Sequence, residues 1–178
     1  AGDFNGDGKG DVIVGERIGQ NASNIRTGRA YIFFGGVTGT KTADTDADLI
    51  LNGQSANDEF GNTVASAGDF NGDGKDDVIV GAPGDDNNSA SNSGSAFIFF
   101  GGITGTKTAD ADADVILNGE SADDEFGGNA FNGIGGRSLG AGDFNGDGTS
   151  DVIIGAGENG NNSASRSGSA FIFFSSGA

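Results

Sequence analysis

The chain of 178 residues carries 26 Asp and Glu against 9 Lys and Arg, a net charge of −17 that excludes nucleic-acid recognition by phosphate neutralisation. With no Cys and no His it has no disulfide, no ordinary zinc or haem site and no Ser-His-Asp or Cys-His catalysis, which leaves an oxygen-ligand metal as the open chemistry. Leu, Ile, Val and Phe make up 22% of the residues, just above the roughly 20% below which a charged chain stays disordered, so folding needs help beyond core burial.

The 36 Gly and single Pro point to many tight turns. No apolar run approaches the ~18 residues of a membrane span, and Ala1-Gly2-Asp3 has neither the basic nor the apolar region of a signal peptide. The chain reads as a mature or excised segment.

Taken in order, the chain repeats itself. AGDFNGDG begins at Ala1, Ala67 and Ala141, at spacings of 66 and 74 residues. Each copy is followed by an apolar run: Asp11 to Gly15, Asp77 to Gly81 and Asp151 to Gly155. A polar loop comes next, then a second run at Ala30 to Phe34, Ala96 to Phe100 and Ala170 to Phe174. Short β-branched and aromatic runs bounded by Gly, Asn and Asp are predicted strands, and apolar residues at successive positions predict burial on both faces.

Two further segments occur twice. Ala47 to Gly53 matches Ala113 to Gly119, and a Phe-Gly pair opens at Phe60 and Phe126. A full unit therefore has four strands. The 8 extra residues of the second spacing fall between Gly127 and Ala141, read as a loop or bulge at the start of an inner strand. No segment has helical spacing and caps, so no helices are expected. Four-stranded units too small to bury their own faces fit blades of a β-propeller, with a β-sandwich or β-solenoid as the alternatives. The blades are set at about 1–53, 54–119 and 120–178.

Each repeat carries the nine-residue pattern D-x-N-x-D-G-x-x-D. Its members are Asp3, Asn5, Asp7 and Asp11; Asp69, Asn71, Asp73 and Asp77; and Asp143, Asn145, Asp147 and Asp151. Side-chain oxygens at positions 1, 3, 5 and 9, with the carbonyls of Lys9, Lys75 and Thr149 at position 7, suit a hard cation, and calcium is the natural candidate, one per loop. Position 12 is Val14, Val80 or Ile154 inside a strand, where an EF-hand needs a bidentate Glu, so that reading fails. A merely solvated acidic turn is a poor account of three copies, because crowded carboxylates repel.

These residues resemble the FG-GAP repeats of integrin alpha-subunit propellers. The resemblance rests on Phe60-Gly61, then AGDFNGDGKDD, then Val78 to Pro83, then Gly94 to Phe100, and its motifs extend over essentially the whole chain. It implies a Phe-Gly strand innermost, calcium between the first and second strands, and partner binding on the opposite rim, built here from 82–93, 157–167 and the turns at 57–59 and 123–125. Propellers usually have four to eight blades. Three Asp loops therefore imply a window of a longer array, or neighbouring copies that supply missing strands.

The expected function is an extracellular, non-catalytic, calcium-binding module for adhesion or for protein or glycan recognition. The alternatives are a filament or surface-layer subunit completed by strands of other copies, and an accessory propeller of a secreted hydrolase. A carboxylate-based enzyme is disfavoured because nothing singles out a catalytic pair. Asn21, Asn87 and Asn161 open N-glycosylation sequons at one offset in the three repeats, equally readable as polar turns. Asp44, Asp46 and Asp48 would share one face of an extended edge, and Phe4, Phe70 and Phe144 read as core plugs. Arg137 reads as a loop charge or a partner contact.

Overall fold

The computed structural model describes residues 1–21, 23, 25–86, 89–128, 138–157 and 168–175. They form three small sheets. The first contains β1 (Val12–Glu16), β2 (Arg29–Phe33) and β3 (Leu49–Asn52); the second β4 (Thr63–Gly68), β5 (Asp77–Ala82), β6 (Ser95–Phe99) and β8 (Val115–Asn118); the third β9 (Leu139–Gly142), β10 (Asp151–Ala156) and β11 (Ser169–Phe173). Within each, neighbouring strands in this order pair antiparallel, as in Val14↔Tyr31, Val80↔Phe97 and Ile154↔Phe171.

The first sheet gains its fourth strand from the second repeat. β7 (Gly105–Thr108) crosses to the outer edge of β3 and pairs parallel to it, Ile50 opposite Thr106. This cross-blade strand was not predicted, because Gly105-Thr-Lys-Thr108 is neither apolar nor alternating. Two short helices also depart from expectation, α1 (Ala43–Asp46) and α2 (Ala109–Asp112). Asp46 and Asp112 fold the chain back by accepting the amides of Thr42 and Thr108, 2.7 and 2.8 Å away. Asp44, Asp46 and Asp48 therefore do not share an extended face. Asp48 accepts the Phe34 amide at 2.8 Å instead.

Two apolar layers join the sheets. Ala30, Ile32, Leu49 and Leu51 of the first pack against Val78, Val80, Phe97 and Phe99 of the second. Ile79, Ala96 and Ile98 on the other side of the second pack against Val152, Ile154 and Ala156 of the third. Each layer has an aromatic plug: Phe60 meets Phe97 and Phe99 edge-on at 5.6 and 6.4 Å, and Phe126 meets Phe171 and Phe173 at 5.6 and 6.1 Å. Gly28 and Gly94, both at positive φ, let the backbone of Phe60 and Phe126 lie against them where any Cβ would collide. Among the described residues, only the middle blade has both faces of its central strands covered. β5 and β6 are buried at every position, whereas Val12 and Val14 of β1 and Ile172 of β11 are exposed.

Candidate metal centre

The three Asp loops share one hydrogen-bond template. In the first, the two carboxylate oxygens of Asp3 accept the amides of Asp7 and Gly8 at 2.9 and 2.8 Å. Asn5 Oδ1 also accepts the Asp7 amide at 2.8 Å, and Asp7 Oδ1 accepts the Lys9 amide at 2.9 Å. Asp69, Asn71 and Asp73 make the same four contacts at 2.8 to 2.9 Å, and Asp143, Asn145 and Asp147 at 2.8 to 3.1 Å. The chain thus wraps around the oxygens of positions 1, 3 and 5. The glycine at position 6 permits this wrap, with φ of 84, 87 and 90° at Gly8, Gly74 and Gly148.

Position 9 does something the sequence did not reveal. Asp11 Oδ2 accepts the amides of Phe4 and Asn5 at 2.8 and 3.2 Å, and its Oδ1 accepts that of Gly35 at 2.7 Å. Asp77 does the same with Phe70, Asn71 and Gly101, and Asp151 holds Phe144 and Ser175. This buried carboxylate staples the loop to the turn that follows β2, β6 or β11. Burial pushes the Asp77 carboxyl up to about 6, against the pull of the three amides.

The donors fit a hard cation in kind: each loop turns two carboxylates and one carboxamide inward, with no nitrogen or sulfur ligand. Among the described residues no three acidic side chains converge into a metal-holding group, so a site here depends on the Asn oxygen and a backbone carbonyl as well as on Asp. Asp7 and Asp147 are held below the usual carboxylate range, Asp7 first by the Lys9 amide and Asp147 first by the Thr149 hydroxyl. Both therefore present negative charge at neutral pH. Lys9 Nζ lies 3.2 Å from Asp7 Oδ2 at the surface.

The loops are also linked to one another. The Asp3 amide donates to Asp76 Oδ2 at 2.6 Å and the Asp76 amide to the Asp3 carbonyl at 3.1 Å. Ser150, the equivalent of Asp76 in the third loop, donates its amide to the Asp69 carbonyl at 3.2 Å. Of the aromatic residues between ligands, Phe4 is fully buried as expected, but Phe144 is exposed.

Of the sequon residues, Asn21 lies in a turn where its Oδ1 accepts the Ser23 and Ile25 amides at 2.9 and 3.1 Å. Asn87, Asn161, Arg137 and most of the stretch between Gly127 and Ala141 fall outside the described residues. On the opposite rim, Asp58 and Asp124 are buried, their carboxylates accepting the amides of Ser55 and Ser121 at 2.8 and 2.9 Å. Their carboxyls hold the turns they lie in.

Blade one has a polar groove of about 410 Å³ lined by Glu16, Ile18, Gln20, Asn21, Arg29 and Asp44. Beneath it the Tyr31 hydroxyl lies 2.8 Å from Glu16 Oε2 and 3.0 Å from Asp44 Oδ1, while Arg29 Nη1 donates to Asp44 at 2.7 Å. Burial, ahead of the carboxylates, pushes the Tyr31 phenol up to about 12. The signal was present in the repeat comparison: Glu16, Arg29 and Tyr31 stand where the other blades have Ala82 and Ala156, Ser95 and Ser169, Phe97 and Phe171.

With the blades, plugs and loops in place, the class is a repeat protein of blade-like β-sheets carrying Asp loops between the first two strands. The FG-GAP repeat model matches residues 60–99 and 135–173. The chain carries FG-GAP repeats, consistent with the integrin-alpha-like FG-GAP family. It is 31% identical over 158 residues to phosphatidylinositol-glycan-specific phospholipase D of Homo sapiens, 86% of this chain and 17% of that protein. It is 30% identical over 158 residues to the Bos taurus protein of the same name, again 86% of this chain and 17% of the relative. It is 29% identical to integrin alpha-5 of Xenopus laevis over 158 residues, covering 86% of this chain and 14% of that one.

Proposed function

We propose that this chain is an extracellular, calcium-stabilised FG-GAP module for adhesion or for protein or glycan recognition, without catalysis of its own. The observation that carries the calcium reading is the threefold recurrence of one loop template, with Asp, Asn and Asp oxygens turned inward at positions 1, 3 and 5. Without a cation, the two carboxylates that each loop wraps together with its Asn oxygen leave like charges close together. An extracellular setting suits such loops, because calcium loops of extracellular modules have Kd near ~10⁻⁴ to 10⁻³ M and fill at outside calcium levels. At about 1 mM calcium each site adds roughly 0.4 to 1.4 kcal/mol, a useful increment for a core this lean.

Titration calorimetry of the metal-free chain with calcium tests this. About one ion per loop and a melting temperature lowered by EDTA are expected. No heat of binding together with an unchanged melting temperature overturns the proposal.

A second reading, an accessory module of a secreted hydrolase, draws on the relatives named phospholipase D, of which this chain spans only a sixth. Among the described residues no helix is long and apolar enough to cross a membrane.

A further inference from the structure

Five Asn-Gly pairs lie among the described residues, and the fold sorts them into two kinds. Asn52-Gly53 and Asn118-Gly119 end β3 and β8, with both glycines buried. The Gly53 amide donates to the Gly28 carbonyl at 2.9 Å and the Gly119 amide to the Gly94 carbonyl at 2.8 Å. Their carboxamides are engaged as well: Asn52 Nδ2 donates to the Lys107 carbonyl at 3.4 Å, and Asn118 Oδ1 accepts the Ser95 hydroxyl at 2.8 Å.

The other three pairs occupy positions 3 and 4 of the Asp loops. Gly6, Gly72 and Gly146 are exposed and at positive φ, 78, 77 and 80°. Here the Asn side chain turns back along its own backbone. Asn5 Oδ1 accepts the Asp7 amide at 2.8 Å and Asn71 Oδ1 the Asp73 amide at 2.8 Å, so each carboxamide lies over the glycine peptide in between. The same hydrogen bond polarises the carboxamide carbonyl in the sense that a developing oxyanion needs. The Gly6 and Gly72 amides donate to nothing among the described residues. Glycine also has no Cβ to obstruct the approach of its nitrogen to Asn Cγ. Gly146 differs, since Asp143 Oδ1 holds its amide at 2.6 Å.

We infer that Asn5 and Asn71 are sites of spontaneous covalent modification, deamidation to isoaspartate and aspartate. The Gly amide nitrogen attacks Cγ, and the new N–Cγ bond closes a five-membered succinimide. Nδ2 leaves as ammonia, taking the proton that the Gly amide gives up. Water then opens the ring at either carbonyl, and no oxidant or other co-reactant is used. Isoaspartate routes the main chain through the side-chain carboxyl and adds one backbone atom between positions 3 and 4. The amides of Asp7 and Gly8, or Asp73 and Gly74, then fall out of register with the Asp3 or Asp69 oxygens that accept them.

The reaction is gated by the cation, a step that rests on the calcium reading above. The Asn oxygen is one of the donors there, and ring closure carries it out of the coordination shell, so an occupied loop must first release its ion. Loops left without calcium lose their sites irreversibly.

The full chain is incubated in mildly alkaline buffer with EDTA and, in parallel, with millimolar calcium, at a temperature where melting curves show both samples folded. Peptide mapping by tandem mass spectrometry follows all five pairs, and enzymatic methylation counts isoaspartate. In EDTA, Asn5 and Asn71 are expected to convert at least about tenfold faster than Asn52 and Asn118, whose buried amides need a local opening first, with Asn145 between. Calcium slows the loop sites by a similar factor. Asn71→Gln, which would have to close a six-membered ring, abolishes conversion at that position and leaves Asn5 converting. Equal rates at the five pairs, or faster conversion at the strand ends, overturn the proposal. Loop rates that calcium leaves unchanged, with the ion bound by calorimetry, overturn the gating. Absence of bound calcium overturns the calcium reading instead, and the EDTA comparison still decides the sites.

Discussion

Asp76 and Asp3 form a two-bond clasp, the Asp3 amide on the Asp76 carboxylate at 2.6 Å and the Asp76 amide on the Asp3 carbonyl at 3.1 Å. It joins position 8 of the second Asp loop to position 1 of the first, so the two loops are one mechanical unit. Asp76→Ala leaves the Asp3 amide without its acceptor, and a lost hydrogen bond to a charged group costs about 1.5–3 kcal/mol. The expected result is a melting temperature lower by several degrees and weaker calcium binding at loop one. Asp76→Asn keeps an acceptor oxygen and recovers most of both. Equal loss in the two variants counts against the clasp.

The plugs carry more stability than the loops do. Phe60 is fully buried between the first two sheets and meets two phenyl rings edge-on, so Phe60→Ala removes a large side chain from a closed layer. A cost of about 3–5 kcal/mol is expected by urea unfolding. Phe144 occupies the same sequence context as Phe4 but is 49% exposed, and Phe144→Ala changes stability by less than about 1 kcal/mol. The contrast tests whether the neighbouring sheet, and not the loop motif, buries the ring.

The same contrast shows what could be read in advance. Repeats, strand positions and the Asp loops were legible because each depends on residues close in sequence: apolar runs between Gly and Asn, and ligands spaced within nine positions. Phe4 and Phe144 are indistinguishable at that range, and only the presence of a covering sheet separates them. The β7 crossover was illegible for the same reason, since Gly105 to Thr108 becomes a strand by meeting an edge 55 residues away, as Asn52 to Lys107 records. Asp11 reads as a fifth ligand by spacing, and its role as a staple appears only once Gly35 is brought to it.

Blade one has a charged network where its sisters have the uncharged side chains Ala, Ser and Phe, so the sisters supply the control. Glu16→Ala, Arg29→Ser and Tyr31→Phe together install the residues found at these positions in blade two. Replacing a partly buried ionic network with well-packed apolar groups is often neutral or stabilising. The triple variant is expected to stay within about 1 kcal/mol of the parent and to bind calcium unchanged. Tyr31→Phe alone takes the hydroxyl from Glu16 and Asp44 and is the less stable of the two. A triple variant less stable than the single one would show that the network stabilises the blade.

Asp58 couples the joint between blades one and two to pH. Burial, ahead of the neighbouring charges of Asp85, Asp110 and Asp86, raises its carboxyl from 3.8 to about 7, although the Ser55 amide pulls the other way. The folded chain therefore holds a proton that the unfolded chain releases near 4. Stability from this group is fully present below about pH 4 and is lost as pH rises through about 7, each unit of difference being worth about 1.4 kcal/mol. Asp77 acts in the same direction up to about 6. Melting in the absence of calcium should thus fall between pH 5 and pH 8 from these two groups. Asp58→Asn retains an acceptor for Ser55 without the charge, so it should be more stable than the parent at pH 8 and have a flatter profile. An unchanged profile would show that Asp58 stays ionised throughout and that its burial is balanced elsewhere.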